Sequence, residues 1–252
     1  VEKIMKCDLT GKKALVTGSS RGIGSAIALE LAAGGAEVFL HYAGNKASAE
    51  KMKAEIENIG GKATIVQANL CDNTSYDKLA EDVGDIDILV LNASVQYLNK
   101  WENITKEEFY DQINCNLLAS LSLIQKFAPS MKAKKFGRII SIGSVQEAKP
   151  HPDMLVYSAS KAAQTTMIKS LALQLAEYGI TVNNVAPGVI YTDRNVKALS
   201  DPAYAKSVAD SIPLKFYGDK KDCSYIVRLL CSEEGRYITG QSIFVDGGKS
   251  IM

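Results

Sequence analysis

Directly after the short apolar run Ala14–Thr17 the chain reads Thr-Gly-Ser-Ser-Arg-Gly-Ile-Gly, Thr17 to Gly24, and a helical pattern starts inside that octet. No other feature restricts the fold so tightly. A glycine-rich turn from a strand into a helix is what a nucleotide pyrophosphate needs. Gly18 permits the tight turn, Gly22 lets backbone approach the phosphates without a Cβ in the way, and Gly24 lets the helix pack close to the strand. The helix N-terminus then carries the phosphate charge, with Ser20, Arg21 and Ile23 beside it. A plain strand-to-helix turn also favours glycine, so the octet needs company before it identifies a ligand. Gly18 to Gly22 also fits G-x-S-x-G, the nucleophile elbow of α/β hydrolases, with Ser20 as nucleophile. The histidine weighed as its partner, His151, lies in the Pro-flanked stretch Lys149-Pro150-His151-Pro152, which argues against that reading.

Short apolar runs alternate with longer amphipathic stretches along the whole chain, the rhythm of parallel βαβ units. Strands are expected at Ala14–Thr17, Val38–His41, Ala63–Ala68, Ile88–Leu91, Arg138–Ile142, Thr181–Val185 and Ser242–Val245. Helices are expected at Gly22–Ala33, Ala47–Ile59, Tyr76–Val83, Lys106–Lys132 as one long helix, Val156–Tyr178 and Ser224–Leu230. Pro187–Ile212 has no regular pattern and reads as a substrate loop. No Pro/Gly-rich linker, repeat or low-complexity tract divides the 252 residues. The expectation is one α/β domain over residues 1–252, a doubly wound, mostly parallel sheet of about seven strands with helices on both faces.

Composition excludes several function classes. A net charge of +1, with Lys and Arg spread along the chain, gives no footprint for nucleic acid or an anionic membrane. No apolar run approaches the ~20 residues of a membrane span, and no signal-peptide pattern opens the chain, which starts on Val1 as a trimmed or engineered chain would. Five cysteines, Cys7, Cys71, Cys115, Cys223 and Cys231, contain no C-x-x-C pair. They read as reduced thiols of a cytoplasmic protein, with neither a disulfide framework nor a metal site.

The second strand runs into Tyr42-Ala43-Gly44-Asn45-Lys46 without the acidic residue that reads the ribose 2′-hydroxyl of NAD. That absence favours NADP(H), with Arg21 and Lys46 as candidate cations for the 2′-phosphate, and leaves NAD(H) possible. Tyr157 and Lys161, at i and i+4 near the start of a long helix, project from one face. A tyrosine titrates near pH 10, and lowering that by about three units takes about 4 kcal/mol, which one ammonium at roughly 4 Å supplies at an effective dielectric of about 20. Tyr42 and Lys46 repeat the spacing in a loop where they share no face. What distinguishes Tyr157 is Ser144, after the fifth strand and thirteen residues earlier, at the sheet end where a cofactor crevice lies.

Taken together, Thr17-Gly18, Gly22-Ile23-Gly24, Asn92-Ala93, Asn116, Ser144, Tyr157, Lys161, Pro187-Gly188 and Thr192 resemble the short-chain dehydrogenase/reductase family in order and spacing, over essentially the whole chain. The resemblance implies a Rossmann fold and hydride transfer between a nicotinamide and a carbonyl or secondary alcohol. It implies Tyr157 as acid/base, Ser144 orienting the reacting oxygen, Lys161 on the nicotinamide ribose, and Asn116 steadying a water of the proton relay. It places Asn69 and Leu70 at the adenine, Asn92 and Ala93 beside the cofactor, and Pro187, Gly188, Ile190 and Thr192 toward the carboxamide. It also implies a homotetramer, or a homodimer, built on the two long helices. Ser94 departs from the family's Asn-Ala-Gly and is expected to narrow the space beside the cofactor; Asn69 stands where Asp is frequent.

Ser94, Val95, Gln96, Gln146, His151 and Met154 are expected near the substrate. Ser94, Gln96, Gln146 and His151 make a polar set, suited to a small polyol, sugar or sugar acid rather than a steroid or acyl chain. The main rival, a 3-oxoacyl-[acyl-carrier-protein] reductase, needs a basic docking patch at the cleft mouth, for which Lys132, Lys134 and Lys135 are candidates. A non-catalytic NADP sensor would be expected to lose part of the tetrad, and all four residues are present.

Overall fold

The computed structural model describes residues 6–192, 195–196 and 199–252. Seven parallel strands form one sheet in the order β3-β2-β1-β4-β5-β6-β9. They are β1 Lys13–Val16, β2 Glu37–Tyr42, β3 Lys62–Gln67, β4 Ile88–Leu91, β5 Gly137–Ile142, β6 Ile180–Pro187 and β9 Ser242–Val245. Their sequences explain their place. Ile88-Leu89-Val90-Leu91 is buried at every residue, as a strand covered on both faces must be. Register is set on both sides of β1, with Ala14 opposite Val38 of β2 and Ile88 of β4.

Helices α1 Gly22–Ala33, α2 Lys46–Asn58, α3 Ser75–Val83, α4 Lys106–Ile113, α5 Ala119–Lys134, α6 Leu155–Leu175, α7 Pro202–Asp210 and α8 Lys220–Cys231 complete the described architecture. One core joins Leu31, Met52, Ile56 and Val227 to Val16, Val38 and Val90. The other joins Leu79, Leu123, Phe127 and Ile168 to Leu15, Leu89 and Ile139. Burying both faces of the sheet in this way yields the doubly wound, single-domain Rossmann-type fold expected. Strand order reverses between β1 and β4, so the crevice for a ligand opens where Thr17-Gly18 and Asn92-Ala93 leave the sheet.

The structure corrects three expectations. The long helix Lys106–Lys132 is interrupted by a π turn, Asn114–Leu118, between α4 and α5. The wider turn accommodates one extra residue and lets the Asn116 side chain reach sideways to the backbone of Val95. The stretch Pro187–Ile212 is not irregular throughout: Ile190–Tyr191 (β7) pairs in parallel with Gly218–Asp219 (β8), and α7 follows. Asp201 caps α7 through the Ala203 N–H, with Pro202 in its first turn, a start signal legible in the sequence. The final helix begins at Lys220, four residues before the expected Ser224, under a capping box formed by Asp219 and Asp222. Residues 193–194 and 197–198 of the expected substrate loop lie outside the described residues.

Candidate active site

One cavity of about 830 Å³ lies along the strand ends. At one end is the glycine turn. Gly18 and Gly22 both adopt positive φ, 62° in each case, which side-chain-bearing residues rarely take. A Cβ at Gly24 would come within 2.4 Å of both the Gly18 carbonyl and the Asn92 amide, so that glycine is required by close packing. Asn92 holds the turn from across the reversal point, donating to the carbonyls of Thr17 and Gly18 at 2.9 and 3.1 Å. Thr17 Oγ1 in turn accepts the N–H groups of Asn92 and Ala93.

The first turn of α1 contains no acidic residue, and Arg21 at its N-cap makes no side-chain cap. Its free N–H groups and positive dipole end therefore face the cavity uncompensated, as an anion site requires. This donor set, together with a cradle of glycines, fits a dinucleotide pyrophosphate. Arg21, Tyr42, Ala43, Gly44 and Asn45 line the cavity beyond it, and so do Ser20, Ile23, Asn69 and Leu70. Asn69 turns its side-chain oxygen to the Cys71 N–H, which fixes the loop that would meet the adenine. Lys46 is not at the cavity: it pairs with Glu50 on the exposed face of α2. Of the two cations expected for a 2′-phosphate, only Arg21 is in place.

Beneath the glycine turn sits His41, which the sequence reading passed over as a strand residue. Its Nδ1 accepts the Gly18 N–H at 3.0 Å, and its Nε2 donates to the Ala68 carbonyl at 3.0 Å. Burial holds this ring neutral, lowering its pKa to about 4. His41 also follows Ser20 in the chain, but both of its ring nitrogens are committed to backbone, so it provides no base for a Ser20 nucleophile. Imidazole in a β-strand carries no sequence signal for such a role.

Farther along, Ser144 and Tyr157 face the same cavity. Ser144 leaves β5 and caps a short turn, its hydroxyl accepting the Gln146 N–H, which leaves its own proton free to donate. Behind it the Glu147 carboxylate accepts hydrogen bonds from Ser242, Asn184 and Thr165. Gly143 must be glycine there, since a Cβ would meet Glu147 at 2.4 Å. Glu147 and Asn184 are supporting residues that sequence reading missed; the S-x-x-E spacing of a capping box was their one available signal.

Lys161, one turn after Tyr157 on α6, is 1% exposed, with its ammonium 5.8 Å from the Tyr157 ring centroid. It donates to the Ile142 carbonyl at 2.7 Å and to Gln164 Oε1 at 3.1 Å. Gln164 passes the connection to Ser120, whose hydroxyl donates to the Asn116 carbonyl. Asn116 itself is fully buried; its amide bonds both Val95 backbone groups and Ser160. Its side chain thus fixes the segment carrying Ser94, Val95 and Gln96, all of which line the cavity.

The substrate end is completed by Gln146, His151, Met154 and Val189, by Tyr204 and Val208 of α7, and by Lys149, Ser211 and Lys249. Gln146 is already engaged, its oxygen accepting from Ser158 at 2.9 Å and its nitrogen lying 3.1 Å from the Met154 sulfur. His151 Nδ1 accepts the Asp153 N–H, which leaves Nε2 as the available donor. Ser94 keeps its place without a positive φ. Pro187 ends β6 and Gly188 follows it; a Cβ on Gly188 would meet Asp246 at 2.7 Å. Ile190 is buried, and Thr192 lies close beside Gly22, within 3.9 Å of where a Cβ there would stand.

The five cysteines are free, and Cys71 and Cys115 both line the cavity. Among the described residues there is no helix long and apolar enough to cross a membrane and no His/Cys/Asp/Glu group able to hold a metal.

Comparison with known proteins agrees with this geometry. The short chain dehydrogenase family profile matches residues 12–203. A 3-oxoacyl-[acyl-carrier-protein] reductase from Staphylococcus epidermidis is 39% identical over 241 residues, covering 94% of this chain and 98% of the relative. The 3-oxoacyl (acyl-carrier-protein) reductase of Agrobacterium tumefaciens, solved with NADP bound, superposes with a TM-score of 0.92 at 34% identity, over 96% of this chain and 95% of that one. L-Sorbose reductase from Gluconobacter frateurii, complexed with NADPH and L-sorbose, superposes with a TM-score of 0.94 at 29% identity, over 98% of this chain and 100% of that one. The chain belongs to the short-chain dehydrogenase/reductase family and is an NAD(P)-dependent oxidoreductase acting on CH–OH or C=O groups.

Proposed function

We propose that the enzyme interconverts a small, polar carbonyl compound of the sugar or sugar-acid type and its alcohol, using NADP(H). The observation that carries the chemistry is a single cavity that holds the glycine turn at one end and Ser144 and Tyr157 at the other, with the Lys161 ammonium buried beneath Tyr157. The nicotinamide supplies the hydride to the carbonyl carbon when bound, or takes it from the alcohol. Tyr157 delivers the proton to the carbonyl oxygen, and Ser144 donates a second hydrogen bond to that oxygen and orients it. The Lys161 ammonium favours the phenolate left on Tyr157, and Asn116 acts by holding the Val95 segment.

NADP(H) is favoured because the cavity wall after β2 contains no carboxylate while Arg21 lines it. NADP and NADPH occupy the two structural relatives described above. Arg21→Ala is expected to weaken NADPH by roughly 1.5 kcal/mol, the low end for a charged hydrogen bond because Arg21 is exposed, and to leave NADH affinity unchanged. Fluorescence titration with both cofactors checks this, and equal losses would remove Arg21 from phosphate recognition.

The polar-substrate reading rests on the side chains at the substrate end. His151 and Tyr204 bring an imidazole N–H and a phenol to the cavity, and a fatty acyl chain packed on them would bury these unpaired, at about 1–3 kcal/mol for each group. The 3-oxoacyl-[acyl-carrier-protein] reductase reading is favoured by the 39% identity to the staphylococcal enzyme. Against it, Lys132, Lys134 and Lys135 are at the far end of the sheet from this chain's own cavity. Lys134 pairs with Asp87 just before β4, and Lys135 precedes β5. They could serve a carrier protein only at the cleft of a neighbouring copy. The deciding experiment is a panel of ketoses, keto sugar acids and 3-oxoacyl thioesters, assayed by NADPH oxidation. Efficient reduction of the thioester alone would replace the polar-substrate reading with the rival.

A further inference from the structure

Every charged side chain among the described residues lining the cavity is cationic: Arg21 at the glycine turn, and Lys149 and Lys249 at the substrate end. The two lysines are 100 residues apart in sequence and are brought there by separate devices. Lys149 closes the turn that Ser144 opens, its N–H donating to the Val145 carbonyl. Its ammonium is steered by a hydrogen bond to the main-chain oxygen of Met252, the last residue of the chain, at 3.2 Å. Lys249 follows Gly247 and Gly248, whose φ values of 64° and 87° turn the chain back over the cavity. Asp246 fixes that turn by accepting the N–H groups of Gly248 and Ser250, and Gly188 packs directly against Asp246. The Lys249 ammonium then reaches Ser211 Oγ at 2.8 Å, just past α7.

Apart from the terminal main-chain oxygen of Met252 on Lys149, neither lysine lies within ion-pair distance of a carboxylate among the described residues. Burial and the nearby Lys149 ammonium both pull the Lys249 pKa down, against the pull of Asp246. Two like charges held on one wall repel each other, and an anion placed between them would remove that cost and add charge-assisted hydrogen bonds.

We propose that Lys149 and Lys249 bind a carboxylate carried by the substrate itself, so that the enzyme acts on a hydroxy or oxo acid in preference to its neutral counterpart. The proposal rests on the polar-substrate reading above and narrows it. In this arrangement the cavity is an anion site at both ends, the 2′-phosphate at Arg21 and the substrate carboxylate at the lysine pair, with Tyr157 and Ser144 between them. A neutral ketose would offer the lysine pair no charge to bind, which makes the pair a specificity determinant.

The test is a matched pair of substrates. 5-Keto-D-gluconate and L-sorbose differ only in a terminal carboxylate in place of a hydroxymethyl group. Steady-state reduction of each with NADPH is compared in the wild type, Lys249→Gln and Lys149→Gln. The wild type is expected to prefer the keto acid in kcat/KM by about tenfold or more, and each variant to lower that preference by about ten- to hundredfold, chiefly through KM. NADPH affinity and Tm, measured alongside, report whether either variant disturbs the fold. Equal or better use of L-sorbose by the wild type, or a keto-acid preference that survives in both variants, overturns the inference and leaves the polar-substrate reading standing. Reduction of neither compound, with a 3-oxoacyl thioester of a pantetheine arm turned over instead, overturns both.

Discussion

Tyr157 and His41 show how the same scaffold asks opposite things of two titratable side chains. Tyr157 faces the cavity beside a buried ammonium, and the proposed reaction has its phenol give up a proton. Tyr157→Phe removes that proton and is expected to lower kcat by about 10²–10⁴ while leaving NADPH affinity nearly unchanged, because the ring stays. Near-wild-type turnover in single-turnover and steady-state assays would refute the assignment. His41 must stay neutral, since its Nδ1 accepts the Gly18 N–H. Unfolded, the ring takes up a proton below about pH 6.5; folded, it does so only near about 4. The unfolded chain therefore binds more protons between those values, and the contribution of His41 to stability is complete above pH 6.5 and declines as pH falls toward 4. Urea unfolding is expected to show a loss of about 2 kcal/mol from this residue between pH 7 and pH 5, absent in His41→Asn.

Among the elements, the π turn at Asn114–Leu118 has the clearest consequence. It interrupts a helix that would otherwise run from Lys106 to Lys134, and its wider ring directs the Asn116 amide across to Val95. Asn116→Leu keeps the volume but leaves the Val95 N–H and carbonyl without their partner and removes the amide that donates to Ser160 Oγ. A destabilisation of about 2–4 kcal/mol is expected by chemical denaturation, together with a fall in kcat, because the Ser94–Gln96 wall loses its anchor. Asn116→Asp, which can still accept from Val95 N–H, is expected to recover part of the stability. The helix α7 makes a second point. Asp201 and Pro202 carry a helix start in plain view, and the irregular apolar spacing after them hid it.

At the level of the whole molecule, apolar side chains stay exposed on the helices that the family resemblance assigns to subunit contacts. Leu173 on α6 is 84% exposed, and Leu155, Phe109 and Tyr110 are also uncovered. Burying such residues against a second copy is favourable at roughly 25 cal/mol per Å² of apolar surface. We propose a homotetramer on this ground, with light scattering after gel filtration as its measurement. Leu173→Glu is expected to shift the population toward smaller species at low concentration, since a closed symmetric assembly repeats each substitution at every copy of an interface. A wild-type monomer at micromolar concentration would rule the assembly out.

Local chemistry by itself determined much of this protein. Strand identity followed from short apolar runs, the nucleotide crevice from glycines that alone tolerate positive φ, and Ser144, Tyr157 and Lys161 from side chains whose reactivity and spacing are written in the chain. These are features of one segment at a time, and a sequence displays them directly. What tertiary structure decided are relations between distant segments. His41 became the seat of the glycine turn because β2 pairs beside β1. Lys46 lost its expected role because the start of α2 points it at Glu50, away from the cavity. Glu147 found partners on β6, β9 and α6, and Lys149 and Lys249 came to line one cavity although 100 residues separate them. Hydrogen bonding and charge act through space over a few ångströms, whereas sequence separation between these partners runs to as many as 100 residues. That difference in metric is why the proposed reactive groups could be named from single segments of the chain and the groups packed around them could not.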